Sequence, residues 1–250
     1  MADAWTGLLV FAFFSGAALL TLWLHPRLPS HHLSKETTDI VRLGVGVVAT
    51  ITALALGLLI SSVKGSFDQV NHDVQIFATR LILTDRALRF YGPGAEDARV
   101  LLRQYTERAL HETWPKEKDA EIVEDQVAGA LLDQAEVAVI SLPTDPLRPT
   151  LAARAADSIH DVVRQRWALI EESGTAVPPF LVTALTLWLG LIFASFGYNA
   201  PQNGLVVAVL LVCAASVACA LFLITEMDGA FTGLITVPSN PVARALAHMQ

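Results

Sequence analysis

Apolar positions along this chain fall into two patterns. Four stretches are apolar almost without interruption and reach the roughly 20 residues a helix needs to cross a bilayer. They run from about Trp5 to Leu24, Val41 to Val63, Pro178 to Gly197 and Gly204 to Thr225, and they predict two membrane hairpins. Between the hairpins the apolar residues space out to every third or fourth position, the period of a helix with one buried face. Phe67, Val70, Val74, Phe77, Leu81 and Leu88 form the first such stripe, and apart from Gly65 no breaker separates it from the second span. One helix is therefore predicted to leave the membrane and run on to about Tyr91, where Gly92-Pro93-Gly94 stops it.

Three further amphipathic helices follow. The first turns Ala98, Leu101, Leu102, Tyr105 and Ala109 inward and stops at Trp114-Pro115. The second runs from about Lys118 to Ile140 with Ile122, Val127, Leu131 and Val139 on its apolar side. The third runs from about Thr150 to Ser173 with Leu151, Ala155, Ile159, Val162, Trp167 and Ile170 inward. Strand-like alternation is absent. The expected fold is an all-α integral membrane protein with four transmembrane helices in two hairpins and a helical extramembrane insert. The expected boundaries are 1–63 for the first hairpin, 64–177 for the insert, 178–225 for the second hairpin and 226–250 for a C-terminal segment packing on the insert.

Composition points the same way. The chain is 53% hydrophobic and only 16% charged, against about 25% charged in a soluble domain. A net charge of −7 argues against nucleic acid as a partner. The first span is not read as a signal peptide: no basic residue precedes it, its apolar run is too long and no small-residue cleavage site follows. Trp5 and Trp23 sit at its ends, where interfacial aromatics belong. Four crossings put the insert and both termini on one side. Arg27, Lys35 and Arg42 on the opposite side nearly balance Lys64, Arg164 and Arg166, so charge leaves the orientation open.

The second span carries small residues, Gly46, Ala49, Ala53 and Gly57, at a spacing that lets helices approach closely in lipid. Plain helix packing explains that face. A pore-lining helix in an oligomer also fits, since a pore may gate through apolar constrictions, with Thr50, Thr52, Ser61 and Ser62 as hydroxyls along the path. No span has an ionisable residue in its middle, which argues against a proton-coupled pump or a charge-relay transporter. His25, His31 and His32 read as solvated loop residues, because a metal site needs three or four converging ligands. Cys213 and Cys219 are too far apart on one helix to bridge and read as small apolar packing residues. Asp85 and Arg86, inside an apolar stretch, suggest a buried pair.

No phosphate loop, nucleophile elbow or metalloprotease motif is present, so neither enzyme chemistry nor a cofactor is expected. Glu226 and Asp228 end the last span abruptly. They are expected at the membrane lip, marking the interface, shaping a pore mouth or capping a helix. An acid at a helix C-terminus gains nothing from the helix dipole, and two carboxylates are too few for a tight Ca²⁺ site.

Several stretches resemble a bacterial family of bestrophin-like membrane proteins: "LALGLLISSVKGSFDQVNHDV", "LILTDRALRFYGP", "YTERALHETWP" and "EMDGAFTGLITVPSNP". More distantly, "EMDGAFTG" resembles the acid-x-acid-x-Pro-Phe-Gly segment after the last membrane helix of bestrophin ion channels. Glu226, Asp228, Phe231 and Gly233 match that segment, while Ala230 takes the place of its proline and "LITVPSN" that of the acids after it, so no metal clasp is expected. The resemblance implies a homo-oligomer, a pentamer in bestrophins, in the bacterial inner membrane. It also implies a pore lined by the second membrane helix and a cytoplasmic insert and termini. The expected function is a bestrophin-like ion channel with Thr50, Leu54, Leu58, Ile60 and Ser61 as pore-lining candidates. Its expected partners are the lipid bilayer, further copies of itself and inorganic ions, with cations favoured because an acidic vestibule concentrates them. The alternative is a membrane-anchored interaction or sensor protein whose insert binds a partner.

Overall fold

A computed structural model describes residues 2–27, 35–114, 126–143, 149–172, 174 and 177–249. Among the described residues there are eight α-helices and no strand: α1 (Ala2–Leu24), α2 (Lys35–Tyr91), α3 (Glu96–Thr113), α4 (Gln126–Ile140), α5 (Pro149–Glu172), α6 (Pro179–Asn199), α7 (Gly204–Asp228) and α8 (Asn240–His248). Helices α1, α2, α6 and α7 are each long and apolar enough to cross a membrane. The protein is thus an all-α integral membrane protein with two hairpins and a helical insert. His31, His32, Ile122 and the start expected for α4 at Lys118 lie outside the described residues, as do 144–148 and Ser173.

The chain divides into two compact units, and α2 runs unbroken through the boundary between them. The first unit, Met1–Gly65 with Thr175–Asp228, holds the membrane helices. Phe14, Ala18, Leu59, Val63, Leu185, Phe193, Ala214 and Leu221 are buried in its core. The Phe14 and Phe193 rings stack with centroids 5.2 Å apart. In lipid, apolar burial does not drive helices together, so association rests on close fit and hydrogen bonds. That fit is visible between α1 and α6. A Cβ on Gly197 would run into the Ala18 carbonyl oxygen and Thr21 Oγ1, and one on Gly190 would stand 2.5 Å from the Phe13 ring. Gln202 Nε2, in the turn after α6, donates to the Leu22 carbonyl at 2.9 Å. The small residues of α2 behave differently: a Cβ on Gly46 or Gly57 would meet nothing within 4 Å. Cys213 and Cys219 correct an expectation, because both are exposed on α7 and do not pack inside the unit. The faces α7 turns inward carry Leu210, Ala214, Ala218 and Leu221 instead.

The second unit, Ser66–Gly174 with Gly229–Gln250, has its own core. Val70, Val74, Leu81 and Leu88 of α2 meet Leu102 and Tyr105 of α3, Leu132 and Ala135 of α4, and Ile159 and Val162 of α5. Helix α2 ends at Gly92, whose φ of 103° suits a residue without a Cβ, and the Gly92 N–H donates to the Leu88 carbonyl at 3.2 Å.

Two helix faces differ from the expected ones. Helix α4 buries Ala128, Leu132, Ala135 and Val139, which leaves Val127 exposed on the other side of the face. On α5, Ala155, Ile159 and Val162 are buried as expected, but Trp167 and Ile170 are exposed, since the continuation of that face after Val162 is Gln165 and then Leu169. The C-terminal segment is fixed by Trp114, whose Nε1 donates to the Val237 carbonyl at 2.7 Å and whose ring meets Phe231 edge-on at 5.4 Å. Val242 and Ala245 bury the inner face of α8, and Arg89 Nη2 donates to the His248 carbonyl at 2.6 Å.

Candidate functional site

Within the membrane unit, α2 has two unlike faces. Val45, Val48, Ala49, Ala55, Leu56, Leu59 and Val63 pack into the core. Steps of three and four residues carry the opposite stripe through Leu43, Val47, Thr50, Leu54, Leu58 and Ser61, all exposed in the single chain. Leu54 and Leu58 are 67% and 64% exposed, and Ile60, at the edge of the stripe, 43%. The Thr50 hydroxyl donates to the Gly46 carbonyl at 2.9 Å, so its oxygen keeps acceptor capacity on the outer surface. Thr52 does not share this face: two residues on from Thr50 it turns inward, is buried, and donates to the Val48 carbonyl at 2.7 Å. The stripe is therefore aliphatic and uncharged, with the hydroxyls of Thr50 and Ser61 on either side of Leu54 and Leu58. Such a surface suits lipid, or a narrow lumen that gates by dewetting.

Helix α7 stays helical through Asp228, so Glu226 and Asp228, two residues apart, point to different sides. Glu226 is buried. Asp228 is partly buried and accepts the Val177 backbone N–H at 3.1 Å, which ties the end of α7 to the segment leading into α6. A crevice of about 280 Å³ beside it is lined by Val177, Pro179, Val182, Thr183, Ile224 and Thr225. Among the described residues no three His, Cys, Asp or Glu side chains converge as metal ligands would.

The insert holds a polar seam between α2 and α5 that sequence reading missed. Thr84 is fully buried and shares its hydroxyl proton between the Arg80 carbonyl (2.9 Å) and the Ser158 carbonyl (3.1 Å). Arg80 Nη1 pairs with Asp161 Oδ1 at 3.1 Å. Asp73 is buried and accepts from Gln69 Nε2 at 2.7 Å and Gln165 Nε2 at 3.0 Å. The pKa of Glu172, an exposed residue in the last turn of α5, is raised, first by a hydrogen bond with Asp73, then by burial and by the Asp73 charge. A signal existed in the sequence: Asp73 lies three residues after Val70 and four before Phe77, inside the apolar stripe.

Asp85 is buried as its neighbours suggested, but its partners are Arg89 (2.8 Å) and Arg99 (3.0 Å), and not Arg86. Arg86 is one residue along the helix, points elsewhere, and lies 5.4 Å from the centre of the Phe90 ring. Burial alone would lower the pKa of Arg99, but the Asp85 and Glu96 carboxylates outweigh it and raise it.

A family model described as the bestrophin-like domain matches residues 12–242. Among solved structures, the chain is similar to a crystal structure described as that of a membrane protein, with a TM-score of 0.62 over 98% of this chain and 97% of the other. The two are 12% identical, so the likeness is one of fold. No curated protein matches the sequence.

Proposed function

Because the chain belongs to the bestrophin-like family, we propose that it forms a homo-oligomeric ion channel in which α2 lines the pore. The observation that carries this reading is the outward stripe of α2. Leu54 and Leu58 are exposed on it between Thr50 and Ser61, on a helix whose other face packs into the core, and in an oligomer they would form an aliphatic constriction. Copies arranged around a closed axis would turn these stripes towards one another, and an apolar neck of this kind blocks ions by losing its water. Ile60 lies beside the neck. Glu226 and Asp228, at the end of α7, shape the lip of the membrane unit. With a net charge of −7 the protein draws cations towards the pore, so cations are the expected permeant ions. The insert and termini are assigned to the cytoplasmic side of an inner membrane by the resemblance described above.

Purified protein in planar bilayers should give unitary currents. Leu58→Ala, which widens and wets the neck, should raise the open probability or conductance several-fold. Silent bilayers from a correctly folded oligomer would sink the channel reading. A second reading is an anchored interaction protein, favoured by the exposed Val137, Ile140 and Trp167 on the insert. It predicts that the full-length protein captures one dominant protein partner, and that Trp167→Asp abolishes the capture.

A further inference from the structure

The crevice beside Asp228 lies wholly within the membrane unit, where the chain enters α6 and leaves α7. Helix α7 has 25 residues, so it is roughly 37 Å long against a hydrocarbon core of about 30 Å, and its ends reach the head-group layer. Four of the lining residues, Val177, Pro179, Val182 and Ile224, are apolar. The other three, Thr183, Thr225 and Asp228, are polar, and Asp228 is the only ionisable group among the described lining residues.

The polar groups of this lining are all acceptors. The Thr183 hydroxyl donates its proton to the Pro179 carbonyl at 3.0 Å, and the Thr225 hydroxyl to the Phe222 carbonyl at 2.9 Å. Each threonine is left with an oxygen that can only accept. The Val177 N–H is likewise taken, by Asp228 Oδ1 at 3.1 Å. A carboxylate offers about four acceptor sites, so that bond leaves Asp228 with capacity for more. The end of α7 adds to the same sign, because the last carbonyls of a helix carry a partial negative charge that favours a cation. A phosphate or carboxylate ligand would bring acceptors to acceptors. A quaternary ammonium brings charge without an N–H. A primary ammonium brings charge and three N–H donors.

We propose that this crevice binds the head group of a phospholipid that ends in a primary ammonium. The ammonium sits at Asp228 and the threonine oxygens, and the apolar lining covers the methylenes beside it. At about 280 Å³, roughly nine times the volume of one water, the crevice takes the amine and its adjoining carbons, while the phosphate and the acyl chains remain in the bilayer. A carboxylate at a helix C-terminus, unfavourable against the dipole alone, has its counterpart in this cation. The site uses no residue of the α2 stripe and does not depend on the channel reading.

The test uses the full-length protein in detergent, stripped of lipid and mixed with equal amounts of phosphatidylethanolamine, phosphatidylcholine and phosphatidylglycerol of the same acyl chains. Native mass spectrometry counts the lipid retained. The wild type should keep phosphatidylethanolamine about tenfold over either competitor, the ratio one charge-assisted hydrogen bond supports. Asp228→Asn keeps an oxygen for the Val177 N–H and loses the charge, so it should melt like the wild type and bring the ratio close to one. Thr183→Phe, at an exposed position of α6, fills the crevice with Asp228 intact and should lower the retention of phosphatidylethanolamine alone. Equal retention of the three lipids by the wild type would mean a crevice that takes any lipid, and would overturn the proposal. So would an Asp228→Asn variant that keeps the wild-type ratio. If Asp228→Asn melts lower, Thr183→Phe decides, and unchanged retention there rejects the site.

Discussion

Asp85 shows how a carboxylate survives in a helical core. It follows Leu81 by four residues and precedes Leu88 by three, so the helix turns it inward with them. Arg89 reaches it from one turn along α2 and Arg99 from α3, so the buried charge has two cations on it. Its inward position was legible from spacing. Its partners were not, because Arg99 comes from a different helix. Asp85→Asn should destabilise the protein by about 1–3 kcal/mol, the cost of losing charged hydrogen bonds while the arginines relax towards water. Thermal melting in detergent measures it, and a change under a few tenths of a kcal/mol would mean the pair contributes little.

At the scale of elements, the contact between α1 and α6 is set by what is missing from Gly197. A side chain there would meet the backbone of α1 at Ala18, and backbone cannot step aside as a flexible side chain can. Gly197→Val should therefore force the helices apart and cost about 1–3 kcal/mol, as overpacking does. Gly16→Ala, on α1 but facing open space, should leave the melting temperature unchanged or raise it slightly. Equal losses from both substitutions would refute the close-contact account. The glycines singled out from sequence were those of α2, because their spacing matched a packing motif. Spacing identifies a smooth face and does not say whether a neighbour occupies it, and within one chain Gly46 and Gly57 have none. The apolar faces of α4 and α5 show the same limit. Periodicity found the helices, but the core begins at Ala128 and not at Val127, and Trp167 falls outside it. A large apolar residue near the edge of a stripe is drawn into the pattern by composition, whereas burial depends on where the next helix lies.

For the whole molecule, large apolar side chains are exposed on both units. On the membrane unit lipid can cover them. On the insert, Val137, Ile140 and Trp167 face water unless another copy or a partner covers them. The channel reading supplies that cover through a closed ring, and it also needs the ring for its pore. Native mass measurement in detergent should therefore give a multiple of 26.9 kDa, with five copies expected from the resemblance to bestrophins. A monomer or dimer would be incompatible with a pore between subunits.

The sequence by itself determined the number and lengths of the membrane helices, the helical character of the insert, the unbroken course of α2 and the family. These properties are local: each follows from hydrophobic run length, helical period, a stop at Gly92 or a contiguous motif. It also located Glu226 and Asp228 at the end of the last span. Only the tertiary structure decided that Glu226 is buried while Asp228 holds the Val177 N–H. It alone showed that Gly197 sets an interhelical contact, and that Gln165 of α5 donates to Asp73 of α2. The reason is the same in each case: a sequence specifies which face a residue occupies on its own helix, but its partner lies on another helix, and chain folding chooses which one.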